Sequence, residues 1–334
     1  MIRPDRIGDV VLSIPVLEAI RLRWPDAYLA MLVHPYAREV LAGNPSLDAI
    51  LTDDPTGADH GATGFWRQIG RLRVQRFDTA LLLMPTARLA WMLFLAGIPR
   101  RISVGHKLYH TLTLTRSVSR NGYIPLRHEA DYCLDLARAI GAPSETTRAS
   151  VFLTDKERQE ARDRLATAGA SGRPVVGIHP GNGRSAPNWV PERYGVLARN
   201  VIERFGGTVV VTGSPWEQAL VEGMKLAPAG SMLSFTGQLS LRQLMAVIAE
   251  MDVLVSSSTG PMHLAAALGI PTISLFCPLS ARSPRRWGPL SDQSEILLPP
   301  SGECATCDRG PLCDLSDIPL QAVLAALERR LSQS

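Results

Sequence analysis

Three apolar runs in the second half of the chain end alike, and that shared ending constrains the fold more than any other feature. Residues Asp252 to Val255 break into Ser256-Ser257-Ser258-Thr259-Gly260-Pro261-Met262-His263, Pro174 to His179 runs into Pro180-Gly181-Asn182-Gly183-Arg184, and a third run stops at Thr212-Gly213-Ser214-Pro215. Each turn follows a strand-like run and precedes a helical pattern, which predicts a parallel sheet with its carboxyl edge lined by small residues. Pro261 suits the first helical position, and Thr259 or Gly260 can cap the turn before it. The free N–H groups of such a helix start carry partial positive charge and accept phosphate. Helix capping alone explains any one of these turns. Three at the carboxyl ends of strands in one half of a chain describe a nucleotide crevice.

The alternation extends through the whole sequence. Met1-Ile2-Arg3 reads as the stub of a strand, followed by the turn Pro4 to Asp9 and a helix from Val10 to Arg23. Strands are expected at Tyr28 to Val33, Ala49 to Leu51, Phe77 to Leu83 and Arg101 to Val104, and helices at Ala37 to Ala42, Phe65 to Val74, Ala87 to Ala96 and Glu129 to Ile140, with loop from Asp53 to Gly64. After Gly141-Ala142-Pro143-Ser144, the best linker, the pattern restarts with a strand at Val151 to Leu153, a helix at Asp155 to Ala168 and, past the first glycine turn, a helix at Pro191 to Phe205. These readings give two open α/β sheets: a domain over 1–143, a second over 144–316, and a closing helix in 317–334.

A length of 334 residues, 46% of them hydrophobic and 20% charged, suits a globular chain of two domains. Runs such as Leu89 to Ile98 fall short of the roughly 20 residues a membrane-spanning helix needs, and no signal peptide opens the chain, so a cytoplasmic location is expected. The net charge of +4 is unevenly spread. From Trp66 to His128 basic residues far outnumber Asp78, the one acid, so this part is expected to face an anionic surface or to be a solvated basic face. No basic-aromatic reading platform accompanies the charge, which argues against nucleic acid. Cys304-Ala305-Thr306-Cys307 with Cys313 has the spacing of a metal knuckle that Cys277 or a histidine would have to complete. Reduced surface thiols are the alternative, and no cofactor is expected.

Taken together, Arg6-Ile7-Gly8-Asp9-Val10-Val11-Leu12-Ser13-Ile14-Pro15, His179-Pro180-Gly181 with Asn188-Trp189, and Ser258-Thr259-Gly260-Pro261-Met262-His263-Leu264-Ala265 resemble glycosyltransferase family 9, the ADP-heptose:lipopolysaccharide heptosyltransferases. The resemblance implies a GT-B fold, with two Rossmann-like doubly wound parallel-sheet domains facing each other across a cleft. The first would hold the acceptor and the second the nucleotide sugar. It makes Asp9 the catalytic base, since inverting transfer needs one carboxylate to take the acceptor hydroxyl proton. Donor contacts are expected from Gly181, Asn182, Gly183, Arg184, Gly213, Ser258, Thr259, Gly260, Met262 and His263, with Glu217 on the nucleotide ribose. Acceptor contacts are expected from Arg6, Gly8, Arg100, Arg101 and Lys107.

Two positions depart from the family pattern. Pro187 stands where the family has a Lys that meets the phosphates, for which Arg184 would substitute, and Ser258 stands where it often has Asp. No Asp-x-Asp metal motif is present, so no divalent ion is expected at the diphosphate. The expected activity is metal-independent, inverting transfer of a heptose or related sugar from ADP-heptose or a similar donor to a lipopolysaccharide inner-core acceptor. Peripheral contact with the inner face of the cytoplasmic membrane goes with that acceptor. The alternatives are a transferase using another nucleotide sugar for a different surface polysaccharide, and a catalytically decayed nucleotide-binding homologue.

Overall fold

Three residues at the start of the chain hold the amino-terminal sheet together. In the computed structural model, which describes residues 1–142, 148–170, 173–183, 186–224, 232–303 and 313–332, Ile2 bridges Leu32 on one side and Leu82 on the other, both in parallel. Its N–H donates to the Leu81 carbonyl and the Leu32 N–H to that of Met1, at 2.9 and 2.8 Å. This segment therefore joins β1 (Ala30–Val33) and β2 (Ala49–Thr52) to β3 (Thr79–Leu82), β4 (Arg100–Val104) and β5 (Arg116–Val118). The resulting order is β2-β1-Ile2-β3-β4-β5. Counted along the chain that is 3-2-1-4-5-6, the doubly wound order of dinucleotide-binding folds.

The second sheet repeats this arrangement. It runs β11-β10-β9-β6-β7-β8, with β6 at Val175–His179, β7 at Thr208–Val211, β8 at Met232–Ser234, β9 at Val253–Ser257, β10 at Thr272–Leu275 and β11 at Ser294–Leu297. Every pairing is parallel. Counted within this half, the order is again 3-2-1-4-5-6. The chain divides into two compact units at Ser150/Val151.

Helices in the first unit are α1 (Ile7–Val11), α2 (Ile14–Arg23), α3 (Gly61–Gln75), α4 (Ala87–Leu95), α5 (Leu108–Leu112) and α6 (Glu129–Ile140). In the second they are α7 (Asp155–Thr167), α8 (Pro191–Phe205), α9 (Gln218–Gly223), α10 (Leu241–Ile248), α11 (Gly260–Ala267), α12 (Pro284–Trp287) and α13 (Leu320–Leu331). Alternate strand residues of the second sheet, Val176 and Ile178, Val253 and Val255, Ile273 and Leu275, form one core with Tyr194 and Leu197 of α8 and Leu324 and Leu327 of α13. Pointing the other way, Gly177 lies so close to Met251 that a Cβ would sit 2.2 Å from its sulfur. The closing helix thus belongs to the second unit's core. Among the described residues no helix is long and apolar enough to cross a membrane.

Several elements differ from the sequence expectations. The helix expected over Val10 to Arg23 starts three residues earlier and breaks at Leu12-Ser13, because Pro15 has no N–H and the Ser13 hydroxyl bonds the Asp9 carbonyl at 2.8 Å. Helix α3 starts within the expected loop, at Gly61. Residues Val151 to Leu153 do not form a strand. The Val151 N–H reaches the Ala267 carbonyl instead, and β8 and β11 already close the two edges of that sheet. Helix α5 and the edge strands β5 and β11 had no counterpart in the expected pattern, being only five, three and four residues long.

Candidate active site

Sheets of this strand order bind ligands beyond the carboxyl ends of the strands, where the order reverses. In the second unit that point lies between β6 and β9, and there His179 pairs in register with Ser256. The two most suggestive turns, 180–183 and 258–260, are therefore neighbours. The third turn joins them through Glu217: a Cβ on Gly181 would lie 2.0 Å from its Oε1, and one on Gly213 would lie 3.6 Å from its Cβ. Gly181 is required because the carboxylate occupies the space where a side chain would begin.

Glu217 does something at this point that the sequence did not lead one to expect. Its Oε2 accepts from the Ser214 N–H at 2.8 Å and the Ser214 hydroxyl at 2.6 Å, closing a capping box at Pro215–Glu217. Burial opposes its charge, but the two Ser214 bonds outweigh this and hold it below the usual carboxylate range. The Gly183 N–H also bonds this carboxylate, which ties the 214–217 turn to the glycine turn. Burial pushes the His179 imidazole below its ordinary value. It shares a 2.9 Å hydrogen bond between Nδ1 and the Thr212 hydroxyl. A neutral ring there orients the turn rather than supplying charge.

Helix α11 starts at Gly260 with Pro261 in its first turn and Thr259 at the N-cap, whose side chain makes no capping bond. Ser258 and Gly260 are half-buried at this edge. The Met262 side chain is fully enclosed and His263 is buried, so a donor contact by Met262 would have to come from its backbone N–H. Asn182 uses its amide to bond the Ala186 carbonyl, which fixes the turn. Arg184, expected to stand in for a missing Lys, lies outside the described residues, as do Cys304 and Cys307. Cys313 is no surface thiol: it is buried in the same core as Cys277. Among the described residues no cluster of metal-ligating side chains is present.

The switch point of the first unit lies between the Ile2 segment and β3, and Asp9 follows directly in the first turn of α1. Its carboxylate receives a short hydrogen bond from Nη2 of Arg3. Arg3 is 3% exposed and serves two further carboxylates. Its Nε lies 2.9 Å from Asp5, and its Nη1 lies 3.5 Å from Glu129 and 3.3 Å from the Leu83 carbonyl. Arg120 shares the load, placing Nη1 at 3.0 and 3.1 Å from the two Glu129 oxygens. Two guanidinium groups thus face three carboxylates, and those nearest solvent are Asp5 and Asp9.

Burial, only partly offset by Arg3 and reinforced by Asp9, pushes Asp5 up to about 6. Arg3 itself is held firmly protonated: burial opposes its charge, but the neighbouring acids prevail. Cys133, beneath the cluster, is pushed up to about 11 by burial and is an inert thiol. Arg3, Asp5, Arg120 and Glu129 escaped sequence reasoning. A charged residue in a strand stub was the available signal for Arg3, but nothing local marks a partner 126 positions away.

The expected acceptor residues separate. Gly8 and Arg6 precede Asp9, Gly8 buried within α1 and Arg6 exposed at its N-cap. Lys107 lies beyond the carboxyl end of β4, where it lines a depression of about 420 Å³ with His106, Thr111 and Ser117. Arg100 and Arg101 correct the expectation, because their partners in β3 are Thr79 and Ala80, at the sheet's amino edge. Arg101 is also buried, with its guanidinium bonded to the Ile98 and Thr113 carbonyls. The basic stretch as a whole is better neutralised than its own segment suggests. Arg67 pairs with Asp59, Arg88 with Asp53, and Arg127 with Asp131 and Asp135, all acids outside the window in which the imbalance was counted.

Residues 65–312 match the profile of glycosyltransferase family 9 (heptosyltransferase). The chain belongs to this family. A lipooligosaccharide heptosyltransferase 2 of Haemophilus ducreyi is 28% identical over 312 residues, covering 89% of this chain and 87% of that one. Among solved structures, a family 9 glycosyl transferase from Veillonella parvula superimposes with a TM-score of 0.86 at 20% identity, over 100% of this chain and 96% of that one. The E. coli ADP-heptose lps heptosyltransferase II does so at 0.78 and 22%, over 99% and 98%. The two Rossmann-like units are thus those of a GT-B glycosyltransferase. In this family member Asp9, the three small-residue turns and the start of α11 all lie at the carboxyl edges of their sheets.

Proposed function

We propose that this glycosyltransferase is an inverting, metal-independent heptosyltransferase that moves the sugar of ADP-heptose to a hydroxyl of a lipopolysaccharide inner-core acceptor. The observation that carries this reading is the placement of Asp9: a carboxylate at the switch point of the amino-terminal sheet, held by buried Arg3. The donor identity draws on the E. coli ADP-heptose enzyme to which the chain is similar.

In the proposed reaction the acceptor hydroxyl donates a hydrogen bond to Asp9. As its oxygen forms a bond to the anomeric carbon, the bond from that carbon to the β-phosphate oxygen breaks and ADP departs. Asp9 takes the hydroxyl proton and later releases it to solvent. Negative charge developing on the diphosphate meets the N–H groups at the start of α11 and the 181–183 turn, where positive potential stabilises the transition state. The depression at Lys107 and His106 would take an acidic group of the acceptor. Such an acceptor is lipid-linked, so peripheral contact with the inner face of the cytoplasmic membrane belongs to the same proposal.

The test is direct transfer: purified protein with ADP-heptose and heptose-free inner-core acceptor should give product one heptose heavier, with release of ADP. Pro187 and Ser258 each place an uncharged side chain at the donor turns, which favours checking other donors in parallel. A nucleotide sugar at 100 times its dissociation constant stabilises by about 2.7 kcal/mol, enough to read as a thermal shift. If another nucleotide sugar shifts the protein and is consumed while ADP-heptose does neither, the donor assignment is wrong. Binding without consumption of any donor would mark a decayed homologue.

A further inference from the structure

Helices α3, α4 and α5 lie side by side on the amino-terminal unit, α4 packing against both of the others. None contains an acidic residue, and none occurs anywhere between Asp78 and Glu129. Helix α3 carries Arg67, Arg71 and Arg73, and Lys107 precedes α5. Apolar side chains nonetheless face outward on this layer, with Trp66 56%, Trp91 36%, Leu108 78% and Leu112 56% exposed. Between α3 and α4 runs an open groove of about 560 Å³ lined by Phe65, Trp91, Leu95 and the stem of Arg88. Asp59 and Asp53, which pair with Arg67 and Arg88, are buried beneath this layer, and an outer face of exposed Trp and Leu among cations is the composition of a surface that lies at a lipid–water boundary.

Position strengthens the case. These helices follow the carboxyl ends of β2, β3 and β4, so Leu108 in the first turn of α5 and Trp66 and Trp91 in the second turns of α3 and α4 stand toward the edge of the sheet that carries Asp9. A partner protein could bury the same apolar groups, but nothing would then require α3 and all fifty residues of 79–128, α4 and α5 among them, to exclude acids.

We propose that the amino-terminal halves of α3 and α4, together with α5, seat the protein on an anionic lipid bilayer, with Trp66, Trp91 and Leu108 in the headgroup region and the surrounding cations toward lipid phosphate. The inference deepens the reading of the acceptor as lipid-linked and rests on it for its purpose, though not for its geometry. Seating by this edge leaves the acceptor's lipid in the leaflet while its sugar reaches Asp9.

The full chain is tested by co-sedimentation with vesicles of phosphatidylcholine alone and of phosphatidylcholine and phosphatidylglycerol in equal parts. It should bind the anionic vesicles. Raising the salt from 0.1 to 1 M shortens the Debye length from about 10 to 3 Å and should weaken that binding. The double substitution Trp66→Gln, Trp91→Gln should lower the partition coefficient at least tenfold, with ADP affinity and transfer to an acyl-free acceptor saccharide unchanged. Equal binding to neutral vesicles, or undiminished binding by the double variant, would overturn the proposal. So would a concentration-dependent dimer that the double substitution abolishes, which would make the surface an interface between copies. Vesicle binding that is lost in the variant while no donor is ever consumed would leave this surface standing and remove the transferase reading instead.

Discussion

Arg3 sets the chemistry of the amino-terminal site without being able to take part in proton transfer. It is enclosed, always charged, and divided among Asp5, Asp9 and Glu129. Removing it leaves Glu129, itself 1% exposed, with less than its complement of positive charge. Breaking a buried pair from one side costs about 3–5 kcal/mol. Arg3→Met should therefore lower the unfolding free energy by that amount in urea titrations, and a loss below about 1 kcal/mol would show that Arg120 alone satisfies the cluster. At this scale the sequence showed where Asp9 would lie, at the start of a helix contiguous with its turn. It was silent about the Arg3 network, which joins residues 3, 120 and 129. It misled over Arg101, because a basic residue inside a strand gives no sign that carbonyls of Ile98 and Thr113 will enclose it. Glu217 could be singled out, but its bonds to Ser214 follow from a capping box that reads equally well as a purely local device.

Elements with strong punctuation were read from the sequence to the residue. Helix α8 runs from Pro191 to Phe205, between a proline in its first turn and Gly206 in the left-handed region. Helix α6 likewise ends at Gly141, with φ at +94°. Elements without such signals, α5 and the edge strands β5 and β11, were missed. Helix α7 shows how an element is tied down beyond its own caps. Thr154 and Glu157 form a capping box, and Arg242 of α10 adds two bonds to the same carboxylate and a third to the Phe152 carbonyl. Chiefly through the Arg242 bonds, Glu157 is lowered from 4.5 to about 2. Its folded value lies below its unfolded one, so the contribution is complete above pH 4.5 and is lost as pH falls toward 2. Arg242→Ala should be less stable than the parent at pH 7, with the gap narrowing at pH 3. Urea unfolding at the two pH values reads this directly, and a gap that stayed constant would deny the linkage.

On the scale of the whole molecule, both units carry the strand order 3-2-1-4-5-6, and each has its candidate site residues at its own switch point. Alternating apolar runs made the two sheets legible, but register decided which residues could share a site. It brought His179 beside Ser256 and set Arg100 at the sheet edge opposite Asp9. Charge counted along a segment overstated what is exposed, because acids from outside the segment fold back onto it. In the α3–α5 layer this neutralises Arg67 and Arg88, through buried Asp59 and Asp53, and leaves the positive charge to Arg71, Arg73 and Lys107. The claim on which the rest depends is that Asp9 takes the acceptor's proton, and the most direct measurement is steady-state transfer by Asp9→Asn. The isosteric amide keeps the shape of the site but not the base. General base catalysis contributes about 10²–10⁴-fold, so kcat should fall by that factor while ADP affinity is unchanged. Turnover within a few-fold of the parent would contradict the account.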